Sequence, residues 1–219
     1  MDRLVIFDLD GTLIDTIADL GAAANHALAL SGYPQHTVAE YAAKVGDGVR
    51  NLVTRALPEE VRGNTAIVER TLGIFREYYS SHIDVHTRPY AGITEMLQSV
   101  RKHGIGIAVA TNKAQEAAER LICKLFPDVE FDLIYGSREG CALKPDASVV
   151  LHILDKTGTM PQDALYVGDT EIDMMTARNG GVSAVGITWG YRRPECLTGA
   201  AALAETPETL EKLILDRLI

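Results

Sequence analysis

The chain lacks any apolar run approaching the ~20 residues that a membrane-spanning helix needs, so no membrane partner is expected. Cysteine is scarce. Cys123, Cys141 and Cys196 are odd in number and have no metal-type spacing, which argues against a disulfide framework and a cysteine zinc site. They read as reduced, buried fillers in a cytoplasmic protein rather than as nucleophiles. Positive charge is also short: 21 Lys and Arg stand against 30 Asp and Glu, a formal charge of −9. Broad nucleic-acid or anionic-membrane binding needs a basic surface, and neither is expected. An anionic substrate would need local cations to offset that field. There is no internal repeat or low-complexity segment, and the first residues run straight into a strand with no signal-peptide pattern.

Of the 219 residues, 47% are hydrophobic and 23% charged, enough for one large domain or a core with a smaller insert. The stretch from Leu4 to Thr16 draws attention first. Leu4 to Phe7 reads as a strand buried on both faces, and it breaks at Asp8-Leu9-Asp10-Gly11-Thr12. In an extended segment that spacing points Asp8 and Asp10 to one side, and Gly11 permits a sharp turn. Two such carboxylates can hold a divalent cation, divide into nucleophile and proton donor, or merely form a surface turn.

After Thr16 the period becomes helical. A first helix is expected on the period of Ile17, Leu20, Ala24, Leu28 and Leu30, ending at Gly32 and Pro34, and others from about Gly48 to Leu57 and from Thr65 to about Ser81, with no strand-like alternation before His82. From Pro89 helices and strands alternate. Strands are expected at 105–110, 131–135, 164–167 and 182–187. Helices are expected at 93–103, 114–125, from Lys144-Pro145-Asp146 onward, through Met175, and after Thr206-Pro207. Such alternation implies a parallel α/β sheet sandwiched by helices, with an all-helical block inserted after the first strand.

Ligands of open α/β sheets bind at the carboxyl ends of strands. Asp8, Asp10, Thr111 and Asp169 fall at such ends, Asp173 lies one helical turn beyond Asp169, and Lys144 sits at an expected helix start. Carboxylates of this kind suit Mg²⁺ completed by a substrate phosphate, while a hydroxyl and an ammonium suit phosphoryl oxygens.

Four signatures, Asp8-Leu9-Asp10-Gly11-Thr12, Thr111-Asn112, Lys144-Pro145 and Gly168-Asp169-Thr170 with Asp173, span the chain in order. Through them the sequence resembles the haloacid dehalogenase superfamily of phosphohydrolases. The resemblance implies a Rossmann-like core over residues 1–14 and 86–219 and a helical cap over 15–85. It implies that Asp8 attacks phosphorus to form an aspartyl-phosphate and that Asp10 protonates the leaving alcohol, then activates water. Thr111 and the Asn112 backbone would bind the phosphoryl group, and Lys144 would steady Asp8. Mg²⁺ would be held by Asp8, the Asp10 carbonyl and Asp169, with Asp173 reaching it through water.

Members that cleave carbon–halogen bonds lack the second aspartate, so Asp10 favours phosphate-ester hydrolysis. Thr12 stands where mutase-like relatives carry a bulkier residue. The stretches Val45 to Arg50, Tyr78-Tyr79 with Pro89 to Gly92, and Thr188 to Arg192 are similar to phosphoglycolate phosphatases. The expected enzyme is a cytoplasmic, Mg²⁺-dependent phosphatase of a small phosphorylated metabolite, 2-phosphoglycolate first, as a monomer or homodimer. Pyrophosphatase, another sugar-phosphate phosphatase and a mutase are the alternatives within the family. Arg50 is the candidate for a substrate carboxylate.

Some signals point elsewhere. Asp155-Lys156-Thr157-Gly158-Thr159 matches the phosphorylation motif of P-type ion pumps, but the helical spacing of Val150, Leu151 and Leu154 makes it a helix end. His82 and His86 are four apart, yet Pro89 follows closely and no other metal pattern is near. A phospho-aspartate signalling module uses similar residues without turnover. It is little more than half as long and has no use for a helical block.

Overall fold

The computed structural model describes residues 2–219. The chain divides into two compact units, Thr16–Arg88 and Met1–Asp15 with Pro89–Ile219.

The first of these is all-helical, with α1 (Ile17–Leu30), α2 (Val38–Ala42), α3 (Val49–Ala56) and α4 (Thr65–Ser81). Small residues on α1, Ala23, Ala24 and Ala27, let it approach α4, whose Val68, Leu72 and Phe75 are buried in return. Asn64 starts α4 by accepting from the main-chain N–H groups of Ala66 and Ile67 at 3.1 and 3.2 Å. Helix α2 was not expected. Its five residues are too few to show a period, but Thr37 and Glu40 form a capping box that marks its start. Tyr41 on α2 is fully buried, covers Gly21 and donates to Asn25 Oδ1 at 2.7 Å. Asp19, in the first turn of α1, is buried and accepts from the main chain of His86 and Thr87 and from the Thr87 hydroxyl.

The other unit carries a six-stranded sheet of β1 (Leu4–Phe7), β2 (Gly106–Ala114), β3 (Leu133–Ser137), β4 (Ala164–Gly168), β5 (Ser183–Ile187) and β6 (Ala202–Ala204). Its helices are α5 (Ile93–Lys102), α6 (Gln115–Leu125), α7 (Ser148–Thr157), α8 (Glu171–Asn179) and α9 (Pro207–Leu218). The strand order is β3-β2-β1-β4-β5-β6, with parallel pairing throughout. Leu4 to Phe7 are wholly inaccessible, as the unbroken apolar run of a central strand requires. Phe7 pairs with Val109 on one side and Val167 on the other. Asp8, Ala110 and Gly168 therefore come level at the carboxyl edge, where the strand order reverses direction. That is the place where doubly wound sheets bind ligands.

The sequence expectations differ from the structure in places. Strand β2 does not stop at Ala110 but runs to Ala114 after a register shift. This irregularity takes Thr111, Asn112 and Lys113 out of the regular ladder. Lys144-Pro145-Asp146 does not open a helix. The Asp146 carboxylate accepts from the Ser148 N–H at 2.8 Å, and α7 begins only there. Strand β6 was missed because three residues at a sheet edge carry too little pattern. The cysteines are not buried: all three are exposed. Cys123 falls off the Ala118–Leu121–Ile122 face by which α6 packs, Cys141 lies in a loop, and Cys196 ends a short 3₁₀ turn. Asp155 is an exposed residue near the end of α7, which stops at the left-handed Gly158. No helix among the described residues is long and apolar enough to cross a membrane.

Candidate active site

At the carboxyl end of β1, Asp8 is buried, and its Oδ1 accepts from Lys144 Nζ at 2.7 Å. Its other oxygen takes no hydrogen bond among the described residues. Lys144 is itself buried and contacts three further acceptors: Asp173 Oδ1 at 2.7 Å, Ala110 O at 2.9 Å and Tyr166 Oη at 3.1 Å. An ammonium has only three protons, so this lysine is saturated by protein. Burial alone would push Lys144 down, but Asp173 and Asp8 outweigh it and hold the ammonium well above its ordinary value.

Asp173 divides its oxygens between two tasks. Oδ1 meets Lys144, while Oδ2 accepts from the main chain and hydroxyl of Thr170, at 3.0 and 2.6 Å, capping α8. Asp169 is oriented from both sides. Thr12 Oγ1 donates to Oδ1 at 3.2 Å and the Tyr191 N–H to Oδ2 at 2.7 Å. The approach is tight at Gly11, where φ is +91° and a Cβ would lie 2.6 Å from Asp169 Oδ2. Trp189 Nε1 donates to Thr12 O at 3.1 Å, which holds the 188–191 loop against the same turn.

The electrostatics follow from this crowding. Burial, followed by the Asp173 charge, pushes Asp8 up to about 7 against the pull of Lys144. Burial with the charges of Asp173 and Asp8 likewise holds Asp169 well above the carboxylate range. One oxygen from each of Asp8, Asp169 and Asp173 lies within 4.8 Å of the others, and neither His82 nor His86 joins such a group among the described residues. Three buried carboxylates against one ammonium leave a deficit equal to the charge of one divalent cation. Burying that charge uncompensated would cost several kcal/mol per ion. The hard oxygen donors fit a cation such as Mg²⁺.

The structure therefore brings together Asp8, Asp10, Thr111, Asn112, Lys144 and Asp169 in one unit. Thr111 is buried, and its Oγ1 accepts from the Lys113 N–H at 3.1 Å. Asn112 does more than offer backbone: its side chain accepts from Lys144 N and donates to Lys144 O. Asp10 is half-buried and meets Lys113 Nζ through both oxygens, at 2.9 and 3.1 Å. Arg50 belongs to the helical unit, where it is more than half exposed and ion-paired with Glu69. Sequence reasoning missed Lys113, Tyr166, the Thr12 hydroxyl and the Tyr191 amide. Tyr166 hides in an apolar run, and Lys113 reads as an ordinary loop charge. The available signal for Lys113 was its adjacency to Thr111-Asn112.

Comparison with known proteins agrees with this architecture. A phosphoglycolate phosphatase from Agrobacterium fabrum is 35% identical, over 98% of this chain and 95% of its own. One from Pseudomonas putida is 34% identical, over 100% of this chain and 78% of its own. A crystal structure from Lactobacillus delbrueckii subsp. bulgaricus, provisionally assigned as a phosphoglycolate phosphatase, superposes with a TM-score of 0.91 at 33% identity, covering 98% and 99% of the two chains. The profile of the haloacid dehalogenase-like hydrolases matches residues 5–187, which hold every carboxylate and lysine of the cluster, and the chain belongs to that family.

Proposed function

We propose that the chain is a Mg²⁺-dependent phosphomonoesterase that works through an aspartyl-phosphate on Asp8, with 2-phosphoglycolate as its foremost substrate. The observation that carries this reading is the pairing of Asp8 with the saturated Lys144. One carboxylate oxygen is tied down, and the other is left to attack. Thr111 and the main chain of Asn112 bind the phosphoryl oxygens. Asp8 then forms a bond to phosphorus as the ester P–O bond breaks, and Asp10 gives its proton to the departing alkoxide. In the second half Asp10 takes a proton from water, the water oxygen bonds to phosphorus, and the bond to Asp8 breaks to release phosphate. Asp8, the Asp10 carbonyl and Asp169 would hold Mg²⁺, with Asp173 behind them. When bound, the cation offsets charge on the phosphoryl oxygens and on the carboxylates. In this reading the helical unit is the cap.

The substrate choice draws on the relatives named phosphoglycolate phosphatase. A kcat/KM panel of phosphoglycolate, pyrophosphate, pyridoxal phosphate and hexose phosphates, each with Mg²⁺, tests it. Phosphoglycolate is expected to lead. A lead by pyrophosphate or a hexose phosphate would replace the substrate, and absence of turnover on all of them would end the enzyme reading. Acid-quench mapping should find the phosphoryl group on Asp8, and Asp10→Asn should lower kcat about 10²- to 10⁴-fold.

A further inference from the structure

A phosphomonoester with an acidic alcohol brings two anionic ends into a chain that is already strongly acidic. Lys144 has nothing left to offer either end, since four protein acceptors surround its three protons. Lys113 stands beside Asp10. The register shift at the end of β2 carries it there, and its side chain is only 4% exposed. Its Nζ spans both oxygens of the Asp10 carboxylate. Its N–H bonds to Thr111 Oγ1, so the same residue borders the phosphoryl-binding hydroxyl.

We infer that Lys113 is a specificity-determining residue, which selects phosphomonoesters whose alcohol bears a carboxylate one carbon from the ester oxygen. The inference rests on the reading above in one respect, the use of Asp10 as proton donor to the leaving oxygen. A donor must come within about 2.6–3.2 Å of that oxygen. An ammonium in contact with both oxygens of the donor then stands on the leaving-group side. The carboxylate of such an ester, one methylene from the bridging oxygen, comes within reach of Nζ. A neutral alcohol of the same size offers that ammonium no charge to meet. Selectivity for the acidic leaving group thus arises in the sheet unit, from the residue next to the phosphoryl-binding pair.

The test compares 2-phosphoglycolate with 2-hydroxyethyl phosphate, which replaces the carboxylate by a neutral hydroxymethyl group. Lys113→Met should lower the kcat/KM ratio of the acidic to the neutral ester on the order of 10- to 100-fold, the worth of one hydrogen bond to a charged group. The loss should lie mainly in KM for phosphoglycolate. Lys113→Arg, which keeps the charge, should retain most of the preference. Lys113→Gln is made alongside in case the methionine variant does not fold, and a measurable rate on the neutral ester reports an intact site. Equal losses on both esters would overturn the assignment, as would a larger change in the ratio from Arg50→Ala. Failure of the unaltered enzyme to hydrolyse either ester with Mg²⁺ would overturn phosphoglycolate as the substrate, and failure on the whole substrate panel would overturn the phosphatase reading itself, which separates both from a fault in the Lys113 assignment.

Discussion

Asn112 grips Lys144 by the main chain: its Oδ1 accepts from the Lys144 N–H at 2.8 Å, and its Nδ2 donates to the Lys144 carbonyl at 3.2 Å. The lysine that steadies Asp8 is therefore positioned by a residue on another element, β2, and both residues are buried. Asn112→Ala should cost about 1–3 kcal/mol of stability, because a buried main-chain pair loses its partners. It should also lower kcat by roughly 10²-fold through misplacement of the ammonium. Thermal melts and steady-state kinetics on one phosphomonoester check both; a normal kcat in a destabilised variant would confine Asn112 to a structural role.

The raised carboxyls make a pH prediction with a definite sign. Asp8, pushed up to about 7, binds more protons folded than unfolded between the ordinary carboxylate value and about 7. Asp169 shifts in the same direction. Their contribution to stability is fully present below the unfolded value and is lost as pH rises through the folded one. In chelator, Tm should consequently fall from about pH 4 to about pH 7. Mg²⁺ should raise Tm more near neutral pH than near pH 5, since it replaces the protons. Asp169→Asn should flatten both trends. A cation effect independent of pH would show that these carboxylates are not its site.

Gly11 has no room for a side chain. Gly11→Ala combines φ of +91° with a Cβ 2.6 Å from Asp169 Oδ2 and 2.8 Å from the Tyr191 ring. Backbone strain alone costs on the order of 1–3 kcal/mol. Apparent Mg²⁺ affinity, read from the dependence of rate on metal concentration, should weaken along with stability. Unchanged metal dependence would mean that Asp169 can move aside freely.

Tyr166 tests how much of the Lys144 shell matters. Its hydroxyl lies 3.1 Å from Lys144 Nζ and 3.2 Å from Asp173 Oδ1. Burial holds the phenol well above its ordinary value, so it stays neutral. Tyr166→Phe removes one of four acceptors around three protons and should cost only about 1 kcal/mol in stability, with kcat within about tenfold. A loss beyond a hundredfold would make the hydroxyl a principal support of the lysine.

The parts of this molecule legible in sequence are those where a pattern breaks. Asp8-Leu9-Asp10 interrupts an apolar strand, Thr111 ends the apolar run of β2, Asp169 follows β4, and long periodic helices such as α1 and α4 announce themselves. What stayed hidden has no such contrast. Tyr166 looks like any aromatic in a buried strand, because its use depends on a lysine 22 positions away. Lys113 acquires its meaning only when the register shift at Ala110 turns it toward Asp10, 103 positions earlier. The side chain of Asn112 has its partner 32 positions away, beyond the reach of local spacing. Exposure of Cys123 depended on which face of α6 packs, and α2 was too short to show a face at all.

Asp19 ties the chain leaving for the helical unit to the chain coming back, through His86 and Thr87. Those helices are thus a lasso drawn shut at its base by one carboxylate. A cut in the exposed turn around Gly63 would sever the loop without releasing either end, and foreign sequence spliced there would hang from a knot already tied. The turn is therefore the natural point for a label or a reporter domain that must leave the Asp19 tie intact.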